Sequence, residues 1–366
     1  MGIQKRNVNL DAIRTFAIIG VVALHLIGGV KALPLSFGNE LIVSILLAIT
    51  YCSVNLFGLL SGYIKIDRPH HNSSIIKIIL QTSFWCFVIA AVCAMAFGQR
   101  SMVAFIKNAF PFIGDRLWYV TCYVFVFLGV PYFNLLANRS SQIGYKNLLI
   151  ILTILMSFIT TFMFKDFFHI VNYGYSAAWL AYMYLVGGYF KRYGFNKKIR
   201  KGHVWIVLCI SIGTIVVSKY ILEAVLLKVG ADTGRAWQFY CYSSPLTLLI
   251  SVCILYLFVN ISIKNNILTK GLSWLSTVSL GIYIIHAHPY ILDNILIGEK
   301  LIWIANDNPL LTLSTILGCI IGIVFVAGVL EQLRIMLFRI VGIDKISNRI
   351  GLKLDKKLGI EEIEQN

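Results

Sequence analysis

Ten apolar runs, each about long enough to cross a bilayer as a helix of 17 to 25 residues, alternate with short polar stretches along the chain. They fall near 10–30, 41–64, 74–97, 117–137, 146–164, 175–190, 203–223, 242–260, 272–292 and 309–332. The pattern predicts an all-α, polytopic integral membrane protein with about ten transmembrane helices. The sixth run is the shortest. It follows Asn172, Tyr173, Gly174 and Tyr175 and carries Gly187 and Gly188 near its end, so a tilted or broken helix is expected there. No repeat of helical-hairpin length and no inverted pair is visible. One transmembrane domain over 1–340 and a cytoplasmic tail over 341–366, amphipathic or disordered and with its basic groups near anionic lipid, complete the expected organisation.

The polar positions inside the first run carry the most information. Asp11, Arg14 and His25 interrupt a segment that is otherwise mainly Ile, Val, Leu, Ala and Phe. On a helix, Arg14 and His25 lie within about 20° of each other and about 16 Å apart in rise. Asp11 is about 40° from the same stripe. Ionisable side chains within a membrane span are costly and point first to function. The structural alternative is an ordinary i,i+3 pair at the helix start below a hydrogen-bonded core histidine.

Composition agrees with the pattern: 58% of the residues are hydrophobic and the mean hydropathy is +0.80, above the apolar share of soluble domains, about 45–50%. A net charge of +16 would suggest nucleic acid in a soluble chain, but here the placement of the charges decides. With ten spans, 22 basic residues fall on the side of the termini and nine on the other. The positive-inside rule then puts both termini in the cytoplasm of a multi-pass protein of the cell membrane, and no nucleic-acid partner is expected. The run after Lys5 and Arg6 exceeds a signal-peptide core and lacks a small-residue cleavage site, so the first helix is expected to stay. The eight cysteines are scattered singly, which gives neither a metal spacing nor a disulfide framework. No metal is expected.

Several short stretches together resemble a known family. They are L-D-A-I-R followed by His25, F-G-L-L-S-G-Y-I at 57–64, L-W-Y-V at 117–120, Y-L-V-G-G-Y at 184–189 and S-L-G-I-Y-I-I-H at 279–286. In order and position they resemble the acyltransferase 3 family, ten-helix membrane enzymes that O-acylate surface glycans, and the resemblance spans about 8–332. It implies transfer of an acyl group, expected to be acetyl, from acetyl-CoA or another acyl-CoA to a hydroxyl of a surface polysaccharide, cell-wall glycan or lipid-linked sugar. The partners it implies are therefore acyl-CoA, a glycan acceptor and membrane lipid. Residue by residue, it makes His25 catalytic, lets Arg14 help the donor thioester, and matches Ser61, Gly62, Tyr283 and His286 to family positions.

The residue types suit that chemistry independently. Acyl transfer to a hydroxyl needs a base near neutrality, and imidazole has an unperturbed pKa near 6.5. A guanidinium forks two oxygens of a pyrophosphate or carboxylate, and Asp11 one turn earlier could hold it. His286, about 22 Å along its own helix, reaches a depth similar to His25. Its alternative is a satisfied core histidine, and that reading is stronger for His288. Asn55, Ser61 and Tyr63 are candidates to support or line the donor path, although Ser61-Gly62 also reads as small-residue packing. Trp118 and Tyr119, with Arg116 beside them, begin a span at the outer face, where an aromatic belt is expected anyway; they are acceptor-stacking candidates. Glu223 and Arg235 could contact acceptor hydroxyls, against the alternative of solvated loop charges. The competing function is a transporter or flippase for a small solute, an acyl group or a lipid-linked glycan.

Overall fold

In the computed structural model, residues 6–96, 98, 101–110, 117–163, 165–166, 169–296, 298–360 and 363 are described. Among them every regular element is helical. Helix α1 spans Val8–Lys31 and is capped by Asn7, whose side chain accepts from Asn9 N. Helices α2 (Phe37–Thr50) and α3 (Cys52–Lys65) follow, continuous but for Tyr51. Next come α4 (Ser73–Ala96), α5 (Met102–Ala109) and α6 (Trp118–Arg139). Helix α7 (Gln142–Thr153) runs on through a π-helical turn at Ile154–Ile159 to Phe162. The remainder is α8 (Ala177–Tyr193), α9 (Lys201–Lys228), α10 (Pro245–Val259), α11 (Asn266–His286), the short α12 (Pro289–Asn294), α13 (Pro309–Val341) and α14 (Ile343–Lys357).

Among the described residues, eight helices are long and apolar enough to cross a membrane, with α2–α3 and α7 through Phe162 each taken as one. The other two expected positions hold α8, of 17 residues, and α10, of 15. Helix α8 is unbroken through Gly187 and Gly188. Their use is close approach: a Cβ on Gly187 would strike the Leu59 carbonyl, and one on Gly62 the Tyr184 carbonyl. Small residues at such a seam let two backbones pack without a hydrophobic driving force between helices.

Helix α1 is apolar on nearly every side and is correspondingly enclosed, packed against α2, α3, α10, α11 and α13. Two thirds of its apolar window, 67%, is buried, against 28% for α13 at the periphery. An all-round apolar helix belongs inside a bundle, so whatever α1 carries faces protein or an internal space. Helices α1 and α11 run parallel, with Asp11 beside Ser273 and Ser276 at one end and His25 beside His286 further along.

Candidate active site

Asp11, in the first turn of α1, is 3% exposed and collects four hydrogen bonds. Arg6 donates to it through Nε (2.5 Å) and Nη2 (3.1 Å), Ser273 Oγ donates at 2.9 Å and Ser276 Oγ at 2.7 Å. Ser276 in turn accepts from Arg14 Nη1 at 2.7 Å. The direct Asp11–Arg14 separation is 3.8 Å. The guanidinium of Arg14 is therefore aimed through Ser276 of α11, and the expected i,i+3 pair is part of a network that also recruits Arg6. A buried carboxylate with this many donors is compensated.

Arg14 borders two cavities. The first is a vestibule of about 630 Å³ at the end of the bundle where residue 6 lies, lined by Arg6, Asp11, Arg14, Tyr63, Arg68 and Lys191 among others. The second, of about 160 Å³, lies deeper and carries Arg14 and His25 with Ser61, Tyr119, Trp118 and Tyr283. The apolar part of its wall includes Val21, Val54, Phe57 and Ile78. The stripe on α1 thus borders both cavities, the outer with four cations and the inner with the His25 imidazole, and Arg14 lines both.

His25 Nδ1 lies 2.9 Å from His286 Nε2. His286 is 2% exposed, and its Nδ1 is 2.5 Å from the Ile282 carbonyl one turn back. A carbonyl only accepts, so that nitrogen carries the proton. With both rings neutral, His286 Nε2 is then an acceptor, His25 Nδ1 the donor, and His25 Nε2 holds the free lone pair. Among the described residues nothing hydrogen-bonds that nitrogen. Tyr283 packs beside both rings, at 6.5 Å from His25 and 6.2 Å from His286 between centroids.

Beyond His25 the cavity ends in aromatic rings. Trp118 lies 4.8 Å from Tyr175 and 6.0 Å from Tyr242, and Tyr175 lies 4.7 Å from Tyr242. Tyr175 follows three left-handed residues, Asn172 (φ 46°), Tyr173 (φ 54°) and Gly174 (φ 96°). The Asp166 carboxylate holds this turn by accepting from Val171 N and Asn172 N. Non-glycine residues in this region cost on the order of 1–3 kcal/mol each and persist where the surroundings hold them. Tyr242 is fixed from behind: its carbonyl accepts from Asn55 Nδ2 (2.9 Å), and Asn55 Oδ1 accepts from Trp179 Nε1 (2.8 Å). Ser157, in the π turn of α7, donates to the Ser243 carbonyl at 2.6 Å.

The structure therefore brings Arg14, His25, Ser61, Trp118, Tyr119 and Tyr283 to one cavity, with Asp11 and Tyr63 on its vestibule and His286 directly behind His25. Asn55 supports the wall. Ser61 lines the cavity while its neighbour Gly62 packs on α8. Glu223 lies elsewhere, paired with the buried Lys219, which also holds Glu40. Arg235 is exposed in the turn Thr233–Trp237. His288 is buried with Nε2 3.3 Å from the Asn108 carbonyl. Arg116 is outside the described residues. Arg6, Ser276, Tyr175 and Tyr242 were not anticipated. Among the described residues no group of three or more His, Cys, Asp or Glu side chains is arranged to hold a metal ion.

A family model described as "Acyltransferase domain" matches residues 7–330. No curated protein and no solved structure matches the chain.

Proposed function

The chain belongs to the acyltransferase 3 family, and on that premise we propose that it moves an acetyl group from acetyl-CoA to a hydroxyl of a surface glycan or its lipid-linked precursor. The observation that carries this reading is the single polar stripe of α1, which joins a four-cation vestibule to a histidine with a free nitrogen through one shared residue, Arg14. Arg6, Arg14, Arg68 and Lys191 offer the charge that coenzyme A phosphates require, and Arg14 adds a planar fork. The extended pantetheine arm then runs up the cavity, covering the roughly 16 Å of helix rise between Arg14 and His25.

At the inner end, His25 Nε2 takes the proton of the acceptor hydroxyl as its oxygen attacks the thioester carbonyl. The carbon–sulfur bond breaks, and the imidazolium returns the proton to the departing thiolate. His286 accepts from His25 Nδ1 throughout, which fixes the reactive tautomer and steadies the charge that forms on the ring, the part an orienting group plays behind a catalytic histidine. Trp118, Tyr175 and Tyr242 present a cup of rings suited to the apolar face of a sugar. Tyr119 flanks the same opening. By the charge bias of the loops the vestibule is cytoplasmic and the cup faces outward across the cell membrane.

The test is purified protein in lipid nanodiscs with labelled acetyl-CoA and a panel of free and lipid-linked glycans. Ester-linked label on a glycan, dependent on His25, is expected. Acyl-CoA binding with no transfer to any acceptor, accompanied by solute or lipid flux in vesicles, would replace the enzyme by a transporter.

A further inference from the structure

The last turn of helix α13 carries Arg339 beside two exposed apolar residues, Ile340 at 84% and Val341 at 58%. Gly342 then takes a left-handed conformation (φ 75°, ψ 26°) and the chain turns into α14. That helix is docked at the start of α4, at the same end of the bundle as Arg6. Its contact face is small and polar: Ser347, Gly351 and Asp355, one per turn, are buried. Gly351 lies against the Ser73 backbone, where a Cβ would clash. Asp355 Oδ1 accepts from Asn72 N at 2.9 Å and from Asn72 Nδ2 at 2.7 Å, and Asp344 pairs with Lys77 at 2.8 Å.

Both acids of α14 thus have partners at the start of α4, Asp355 buried and Asp344 exposed. Lys345, Arg349, Lys353, Lys356 and Lys357 are exposed, and among the described residues none has an acidic partner. Beside them Ile343, Ile346, Ile350 and Leu354 form one helical stripe at spacings of three and four. Ile346 and Ile350 are 47% and 41% exposed. An apolar stripe edged by cations, placed where a lipid-facing helix leaves the hydrocarbon, has the form of a helix lying in the membrane interface.

We propose that α14 is an interfacial helix that binds the anionic phospholipids of its leaflet, its isoleucine stripe entering the acyl boundary and its cations engaging the headgroups. The site is independent of the acyl-transfer reading. Because α14 grips Asn72 and Ser73, and α4 then carries Ile78 into the inner cavity, lipid bound here also steadies one wall of that cavity.

Full-length protein in nanodiscs of zwitterionic lipid, or of the same lipid with a third phosphatidylglycerol, distinguishes the possibilities by hydrogen exchange over residues 343–357. Anionic lipid is expected to slow exchange there, and the Lys345→Gln/Arg349→Gln/Lys353→Gln variant to lose that slowing. These side chains are exposed, so the variant is expected to fold. Phosphatidylglycerol retained after detergent extraction should bind on the order of 100-fold more weakly to it, at about five-fold per charge near an anionic surface. Ile346→Ser/Ile350→Ser should weaken retention with the charges intact. Equal exchange in both lipids with unchanged retention in both variants would overturn the proposal and leave α14 held by α4 alone. Protection that follows protein concentration and not lipid would assign the stripe to a second copy of the chain.

Discussion

His286 accepts, and does not donate, in its 2.9 Å contact with His25, because its other nitrogen spends its proton on the Ile282 carbonyl. A backbone carbonyl on α11 therefore decides which nitrogen of a ring on α1 has a free lone pair. On the proposed mechanism His286 acts through His25, as a positioning residue. Replacing it with Ala should lower kcat roughly ten- to hundred-fold, part of the 10²- to 10⁴-fold that a base supplies, while leaving the acyl-CoA KM near its normal value. His286→Gln, which offers an oxygen to the same proton, should recover part of the loss. Steady-state kinetics on folded variants checks this, and a kcat within two-fold of normal for His286→Ala would reduce His286 to packing.

Ser276 is the link between Asp11 and Arg14, so Ser276→Ala should release the guanidinium without removing its charge. Arg14→Lys keeps charge and loses the fork. Charge-assisted hydrogen bonds contribute about 1.5–3 kcal/mol, so each variant should raise the acyl-CoA KM by roughly ten-fold or more, with Arg14→Ala the most affected. Acceptor KM should not move. Titration of acetyl-CoA at saturating acceptor measures the effect; unchanged donor kinetics in all three would remove Arg14 from the donor path.

How much of this was legible follows from what each residue contrasts with. Asp11, Arg14 and His25 stand out because a membrane helix has few polar positions, and their shared face follows from helical geometry alone. His286 could be placed at the right depth. Its contact with His25 could not be read, since depth does not say which helices are neighbours. Arg6 was hidden by its other plausible job as a topology-setting charge, and Ser276 by being one serine among several in its span. Tyr175 and Tyr242 were lost among the chain's 18 tyrosines; the N-Y-G-Y stretch, in which Gly174 needs positive φ, was the available signal. Glu331 at the end of the last long run went unnoticed, yet it is fully buried and takes hydrogen bonds from Trp85 and Gln81 beside Gly281.

The aromatic cup should separate acceptor from donor. Tyr175→Ala and Trp118→Ala remove rings that pack on each other at 4.8 Å, and Trp118 lines the cavity that holds His25. Aromatic contacts are worth about 0.5–1.5 kcal/mol beyond the area they bury, which predicts acceptor KM raised up to about ten-fold with acyl-CoA KM unchanged. Tyr175→Phe should behave nearly as wild type, because the ring does the stacking. An equal rise in both KM values would mean that the cup shapes the whole cavity and has no selective part in holding the acceptor.

The sharpest expectation concerns His25 itself. Its Nε2 is the one imidazole nitrogen of the pair left free once His286 is anchored, and it belongs to the cavity that Arg14 enters from the other end. If that nitrogen removes the hydroxyl proton, His25→Ala should lose 10²- to 10⁴-fold in transfer and keep membrane insertion and acetyl-CoA binding, since Arg6, Arg14 and Ser276 remain in place. His25→Gln should be almost as poor: an amide can fill the space and hydrogen-bond to His286, but it cannot take up a proton at neutral pH. Binding of acetyl-CoA by calorimetry, set beside transfer rate, distinguishes a chemical lesion from a donor-site one. Transfer by folded His25→Ala at more than about a tenth of the normal rate would end the base assignment. Loss of binding together with transfer would instead make His25 a structural partner of His286. If binding survives and transfer does not, acid-quenched protein examined by mass spectrometry tests the route: direct transfer leaves no acetylated histidine in the wild type, whereas a covalent path would show one only when acceptor is withheld.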